Sequence, residues 1–211
     1  MLGNVGSLYS ALGKYDKALS NIELALHISR EIGNKYLESM HLGNVAIIFD
    51  SQGEHAKAIE KYKESLAVCE GIGDMHQKGL TLGNLGEAHI RLKQWDEAIQ
   101  ILTMSIEICK STLPTASGAF SGSLAWIYAK QGRLNEALEH IQYGEDLVAV
   151  YPLEHAKFLC KKSQVLHLSN EVRAALEALK QAETIKEGLH TENAELTRLI
   201  EDSHRILSTS S

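Results

Sequence analysis

The chain has 211 residues, 44% of them hydrophobic and 23% charged, a composition that is typical of a folded protein and excludes a disordered one. The formal net charge is −6 and lysines and arginines form no basic run, which argues against binding to the phosphates of nucleic acid. No apolar segment has the roughly 18 to 20 residues of a membrane-spanning helix, and no secretory signal opens the chain, so we expect a cytoplasmic protein without membrane contact.

The chain opens on a pattern that returns at a fixed interval. Leu-Gly-Asn begins at Leu2, Leu42 and Leu82, with a spacing of 40 residues. An alanine near the start of a second helix recurs five times, at Ala18, Ala58, Ala98, Ala137 and Ala175. Such a period is typical of repeat proteins, in which each unit is one supersecondary element. We predict five units, near residues 1–33, 34–73, 74–113, 114–151 and 152–188.

Small and large side chains occupy matching positions in the five units, and small ones are needed where two helices approach closely. Besides the alanines, the small series are Gly6, Ala46, Gly86, Ala125 and Ser163, and Ala25, Ser65, Ser105, Gly144 and Ala182. One large series is Ile22, Tyr62, Leu102, Ile141 and Leu179. The apolar spacing is helical throughout, which predicts an all-α protein of antiparallel helix hairpins.

Turn residues separate the predicted helices. Within four of the units, the turn between the two helices holds a glycine or asparagine, which tolerates the left-handed conformation that ends a helix. These residues are Gly13, Gly53, Gly132 and Asn170, and in the third unit Lys93 is the exception. Between the units, the predicted breaks are Gly33-Asn34, Gly73-Asp74, Pro114, Pro152 and Gly188.

The joint pattern resembles the tetratricopeptide repeat, which reads large-x2-Leu-Gly-x2-Tyr followed by Ala-x3-Phe. The first unit has Leu2-x2-Val5-Gly6-x2-Tyr9 and then Ala18-x3-Ile22, and the next three units follow it. The fifth departs, since Lys162 stands where an apolar residue is expected. The repeat of about 40 residues is similar to the long-repeat subgroup of Pins-type adaptors, kinesin light chains and Rap-type bacterial regulators. The resemblance implies a right-handed superhelical solenoid over residues 1–190.

The two ends of the predicted array differ. Residues 191–207 carry an amphipathic helical pattern that we interpret as a capping helix, with Thr191 as its first cap, before a disordered tail at 208–211. The first helix is short and shows Leu2, Val5 and Leu8 where a terminal repeat needs polar side chains. We expect either a fragment of a longer protein or a homodimer formed through this helix.

Residues that could carry chemistry are scattered. The ten histidines include no HExxH motif, and the three cysteines form no CxxC pair, so we expect no metal site, no cofactor and buried or half-buried thiols. The Leu-Gly-Asn runs lack the lysine of a phosphate-binding loop. The sequence indicates no catalytic residues, and we expect that the chain is not an enzyme.

The resemblance implies that the first helix of each unit lines a concave groove that binds a peptide. Two positions before the first small residue lie Asn4, Asn44, Asn84, Ser123 and Lys161. An asparagine amide can pair with a peptide backbone of any sequence. Alternatively, the asparagines repeat through duplication or bond locally within a hairpin. Further along the same face we place Asp50, Glu87, Arg91, Trp126 and Lys130.

Trp126 is the anchor candidate in this set because large aromatic side chains dominate binding hot spots, with core packing as the alternative. Trp95, which opens a second helix, is interpreted as structural. The mixed charges predict a peptide of mixed charge.

We therefore predict a non-catalytic protein–protein interaction scaffold that binds a peptide segment of a partner in the groove. A regulatory or sensor module of a larger signalling or transcription protein is one alternative. A self-assembly module that acts through the first helix is another.

Overall fold

The computed structural model describes residues 2–189 and 193–208, and within these ranges it is built of helices without a strand. The first helices of the hairpins are α1 (Leu2–Ala11), α3 (Lys35–Ser51), α5 (Met75–Arg91), α7 (Pro114–Lys130) and α9 (Pro152–Leu168). The second helices are α2 (Tyr15–Glu31), α4 (His55–Ile72), α6 (Trp95–Thr112), α8 (Leu134–Val148) and α10 (Val172–Gly188). A final helix, α11 (Ala194–Ser208), follows. The all-α hairpin architecture is confirmed.

The turn inside each hairpin has one backbone geometry. Gly13, Gly53 and Gly132 have φ values of 70°, 82° and 77°, and Asn170 has 63°. Lys93, the expected exception, also lies in the left-handed region with φ 58°. The turn therefore imposes this conformation on a residue with a Cβ, at a cost that glycine avoids.

The breaks between hairpins coincide with helix starts and ends. Asn34 caps α3 by accepting the Leu37 backbone N–H at 3.0 Å, and Asp74 caps α5 by accepting that of Gln77 at 2.9 Å. Pro114 and Pro152 open α7 and α9, where the missing N–H of proline costs nothing.

The chain forms two compact units, divided between Leu113 and Pro114. In the first unit, the helices of a hairpin touch at the small residues. An added Cβ would overlap Ile22 at Gly6 and lie 2.7 Å from Leu102 Cγ at Gly86. Hydroxyls also join the helices of a hairpin: Ser65 donates to the Ser39 carbonyl at 2.8 Å and Ser105 to that of Gly79 at 2.7 Å.

Successive hairpins of the first unit are joined by apolar packing of a second helix against the next first helix. Between α2 and α3 the buried cluster consists of Ala18, Ile22, Leu26, Leu42, Val45 and Ile48. Between α4 and α5 a similar cluster contains Ala58, Ile59 and Tyr62 from α4 with Leu85 and Ala88 from α5. The repeated sequence pattern therefore produces a repeated interface.

The second unit packs by the same rule and ends with α11. Gly118 and Gly144 bring α7 and α8 together, since an added Cβ at Gly144 would lie 2.6 Å from the Gly118 carbonyl oxygen. Leu196 and Ile200 of α11 join the core of α9 and α10. Lys157 of α9 pairs with Glu195 at 2.6 Å. Burial lowers the pKa of Lys157, but the carboxylates of Glu195 and Glu154 outweigh this effect, so the pKa is raised overall.

The start of α11 has a different cap from the expected one. Asn193 accepts the Leu196 backbone N–H at 2.8 Å, and α11 begins at Ala194. Thr191, the expected cap, lies outside the described residues, as do residues 209–211 of the expected tail. Ser208, assigned to that tail, belongs to α11.

All three cysteines are free and buried, as expected: Cys69, Cys109 and Cys160. Burial raises the pKa of Cys160 to about 12.

Among the described helices, none combines the length and apolarity that crossing a membrane requires.

Candidate functional site

The first helices of the first unit lie side by side at glycine contacts. A Cβ added at Gly3 would lie 2.5 Å from the ring of His41 on α3, and one at Gly43 would lie 3.3 Å from Gln77 on α5. Gly3 and Gly43 thus set how closely the neighbouring first helices of this unit approach. The asparagine that follows it has the same register on each helix.

We call Asn4, Asn44 and Asn84 the amide row. Asn4 is exposed, and Asn44 and Asn84 are half-buried. Throughout residues 2–189 and 193–208, no side chain or backbone group forms a hydrogen bond with these three side-chain amides. By contrast, the amide of Asn21 donates to the Lys17 carbonyl at 2.7 Å. The local bond considered as an alternative is therefore not formed, and each amide keeps its donors and acceptor.

Apolar side chains flank the amide row. On a helix, residues three or four positions apart share a face. Met40 and Ile47 therefore lie beside Asn44 on α3, and Leu80 lies beside Asn84 on α5. Met40 and Leu80 are half-buried, and Ile47 is 37% exposed. Met40 and Leu80 were not among the predicted site residues, although the four-residue spacing from each asparagine could have identified them.

Two predicted residues of this unit pair with each other. Arg91 Nε donates to Asp50 Oδ2 at 2.9 Å, across neighbouring hairpins, and His55 Nδ1 lies 2.6 Å from Asp50 Oδ1. Asp50 is only 8% exposed, so it does not line an open surface as expected. Its carboxylate is held by the next hairpin because burying it without a partner would be costly. Glu87, half-buried on α5, is the remaining predicted acid near the amide row.

The predicted residues of the second unit form two pairs. Lys161 donates to Ser123 Oγ at 2.6 Å, and Ser123 is only 3% exposed, so the expectation that its side chain lines a groove is wrong. The small serine fits where α7 and α9 pack together. Lys130 Nζ lies 5.4 Å from the centre of the Trp126 ring, within the range of a cation–π contact, and Trp126 is half-buried.

Metal-ligand clusters are lacking in the described part of the chain, where no three side chains of histidine, cysteine, aspartate or glutamate come together. His41 is buried beneath Gly3, and its burial lowers its pKa, which favours the neutral ring. The amide row and its flanking side chains offer neutral hydrogen-bonding groups and apolar side chains.

Solved structures with this fold include a Rap protein, a phosphatase and kinesin light chain repeats. A Rap protein complexed with Competence and Sporulation Factor has a TM-score of 0.82 and 17% identity, covering 99% of this chain and 57% of that chain. Aspartyl phosphate phosphatase F from Bacillus subtilis has a TM-score of 0.74 and 14% identity, covering 97% and 58%. TPR-like repeats of a putative kinesin light chain from Podosopora anserina have a TM-score of 0.63 and 16% identity, covering 90% and 96%.

At these identities the likeness concerns the fold, and this chain spans little more than half of the Rap protein and of the phosphatase. Among curated proteins no relative matches the sequence. The family model for the tetratricopeptide repeat matches residues 1–71 and 77–142, which is more than half of the chain. The repeat pattern, the hairpin stacking and this match agree, and the chain belongs to the tetratricopeptide repeat family.

Proposed function

We propose that this chain is a non-catalytic scaffold that holds an extended peptide segment of a partner protein against the amide row. The observation that carries the proposal is the set of three asparagine amides that have no hydrogen-bond partner in the described part of the chain and share one register on neighbouring helices. An extended peptide presents backbone N–H and C=O groups at regular intervals, and an asparagine amide complements both.

The dimensions of the row indicate the length of the bound segment. Neighbouring packed helices lie about 8–10 Å apart, so three helices span about 16–20 Å. An extended chain rises about 3.3 Å per residue, so five or six residues cover the row. Consecutive side chains of such a peptide point to opposite sides. We expect apolar side chains on the side that meets Met40, Ile47 and Leu80.

The charged side chains near the amide row discriminate little between peptide sequences. The Asp50 and Arg91 charges neutralise each other, so this pair does not select for charge in the peptide. In the second unit, Trp126 with Lys130 is a separate candidate contact, and Lys161 is occupied by Ser123.

The test uses peptides selected from a random 12-residue library on the intact chain, with binding measured by fluorescence anisotropy. Each asparagine bonded to the peptide contributes about 1–2 kcal/mol, so the Asn44→Ala, Asn84→Ala double variant should weaken binding at least about tenfold. Asn135→Ala, at an exposed asparagine of α8, is the matched control and should bind normally. Unchanged affinity of the double variant would refute the amide row as the site.

A regulatory or sensor module is the second candidate, favoured by the similarity to a Rap protein solved with Competence and Sporulation Factor. A sensor must change its conformational equilibrium on binding, since a ligand acts only through differential affinity for two states. Hydrogen exchange should then change beyond α1, α3 and α5 when a selected peptide binds. Protection confined to those helices would favour the plain scaffold.

A further inference from the structure

A histidine is buried beside the amide row, at the contact between α1 and α3. His41 is three residues before Asn44, and positions so spaced share a helix face. Its ring lies beneath Gly3, the residue before Asn4: a Cβ added at Gly3 would lie 2.5 Å from Cε1 and 3.1 Å from Nδ1 of the ring. His41 is only 5% exposed. The α1 backbone therefore rests on this ring, which sets the step from Asn4 to Asn44.

One nitrogen of the His41 ring is buried without a bonding partner. Within residues 2–189 and 193–208, no group forms a hydrogen bond with Nδ1. A neutral ring can carry its one hydrogen on the other nitrogen, whereas a protonated ring carries a hydrogen on both. Protonation would therefore bury a charged N–H donor that has no acceptor, which is costly. Water can reach this donor when α1 moves away from the ring.

The equivalent contact between α3 and α5 does not contain a titratable group. A shift of 40 residues replaces His41 by Thr81, whose hydroxyl would lie 4.0 Å from a Cβ at Gly43. This hydroxyl is 3.3 Å from Ser65 Oγ and 3.3 Å from Gln77 Nε2, so it has hydrogen-bond partners. The first step of the amide row thus depends on a titratable ring, and the second step does not.

The charged groups near His41 do not stabilise its protonated form. α1 has no charged side chain from Leu2 to Ala11, and the α5 side chains named above are uncharged. One turn earlier on α3, Glu38 is already paired with Lys35 at 2.7 Å and with Arg30 of α2 at 3.0 Å. Burial lowers the pKa of His41, and the positive amino group of the chain lowers it further.

We propose that His41 makes peptide binding to the amide row dependent on pH: the peptide binds while α1 rests on the neutral ring, and protonation separates α1 from α3. The inference rests on the proposed function of the amide row. A peptide that contacts both Asn4 and Asn44 holds α1 against α3, so binding and protonation oppose each other. The affinity is constant above about pH 6.5 and falls by up to about tenfold per pH unit below it, since one proton is taken up.

The test measures the anisotropy of one selected peptide with the intact chain between pH 7 and 5, where the amino group of the chain stays charged. The peptide has blocked ends and no histidine, aspartate or glutamate, so its own charge is constant. Its affinity for the wild-type chain should fall below about pH 6.5, and its affinity for His41→Gln should stay constant. His76→Gln, at an exposed histidine of α5, is the matched control and should keep the wild-type pH dependence.

A nuclear magnetic resonance titration of the His41 ring gives the reciprocal measurement. Saturating peptide should lower the pKa of His41, because a ligand that favours the neutral ring must oppose its protonation. An unchanged pKa would overturn the inference, and so would a His41→Gln variant with the wild-type pH dependence. If circular dichroism shows that His41→Gln loses its helices, His41→Thr supplies the side chain that the repeat has at Thr81.

The Asn44→Ala, Asn84→Ala double variant separates this inference from the proposed function. If that variant binds more weakly at pH 7 but the wild-type affinity does not change with pH, the amide row remains the site and His41 does not regulate it. If the variant binds normally at pH 7, the amide row is not the site and the regulation is rejected with it.

Discussion

Gly144 provides a sharp test of the close helix packing in the second unit. An alanine Cβ at this position would lie 2.6 Å from the Gly118 carbonyl oxygen and 2.6 Å from Phe158 Cε2. Phe158 cannot easily retreat, because the same ring lies 2.9 Å from where a Cβ of Gly122 would be. The substitution therefore forces either the Gly118 backbone or the closely packed Phe158 ring to move.

The expected magnitude follows from two opposing effects. Overpacking a core costs about 1–3 kcal/mol, and the immobile neighbours place Gly144→Ala near the upper end. Replacing glycine by alanine inside a helix returns about 1 kcal/mol. We expect the free energy of unfolding of the second unit to fall by about 2 kcal/mol, which lowers the urea midpoint by about 1 M for a slope near 2 kcal/mol/M.

The assay is urea unfolding followed by tryptophan fluorescence. Trp126 belongs to the second unit and Trp95 to the first, so a Trp95→Phe background makes the emission report on the second unit alone. Wild-type and variant chains are compared in that background.

Gly71→Ala is the matched control in the first unit, followed through Trp95 in a Trp126→Phe background. Apart from its own helix backbone and chain neighbours, no atom of the described residues lies within 4 Å of where the Cβ of Gly71 in α4 would be. This substitution should raise the free energy of unfolding by about 0.5–1 kcal/mol. If Gly144→Ala were as stabilising as the control, the close contact of α7 and α8 would not be rigid.

Three further predictions use the same methods. Lys93→Gly should raise the free energy of unfolding of the first unit by about 1 kcal/mol because it relieves a left-handed residue that has a Cβ; no gain in urea would contradict this. Burial lowers the pKa of His41, so the unfolded chain binds the proton more tightly and stability falls as the pH drops from about 6.5 through the folded pKa. His41→Gln should flatten that loss in urea midpoints measured between pH 7 and 5. Finally, native Cys160, whose pKa is raised to about 12, should not react with a thiol reagent at pH 8 until the chain unfolds; rapid native labelling would contradict its burial.

Helix positions were predictable because local chemistry specifies them. The matching positions Tyr15, His55, Trp95, Leu134 and Val172 are the first residues of the five second helices. Asn34, Asp74 and the two prolines mark helix starts because each acts on backbone groups within a few residues. Lys93 was expected to be an exception because its side chain disfavours the left-handed conformation, but the turn around it imposes that conformation.

The candidate site was only partly predictable. The sequence indicated which helix face carries Asn44 and Asn84, but it could not show that Asp50 and Ser123 are buried. Asp50 is held by Arg91, 41 residues further along the chain, and Ser123 by Lys161, 38 residues further along. Such pairings depend on how close two helices come, which the residue pattern of either helix does not contain.

The sequence by itself therefore determined the repeat family, the number of hairpins and the location of their turns, because periodicity and capping act along the chain. Only the tertiary structure decided which polar groups are used up in packing and which remain available. It left the amides of the amide row without hydrogen-bond partners among residues 2–189 and 193–208. The physical reason is that burial and hydrogen bonding are settled between helices, where each repeat meets a neighbour.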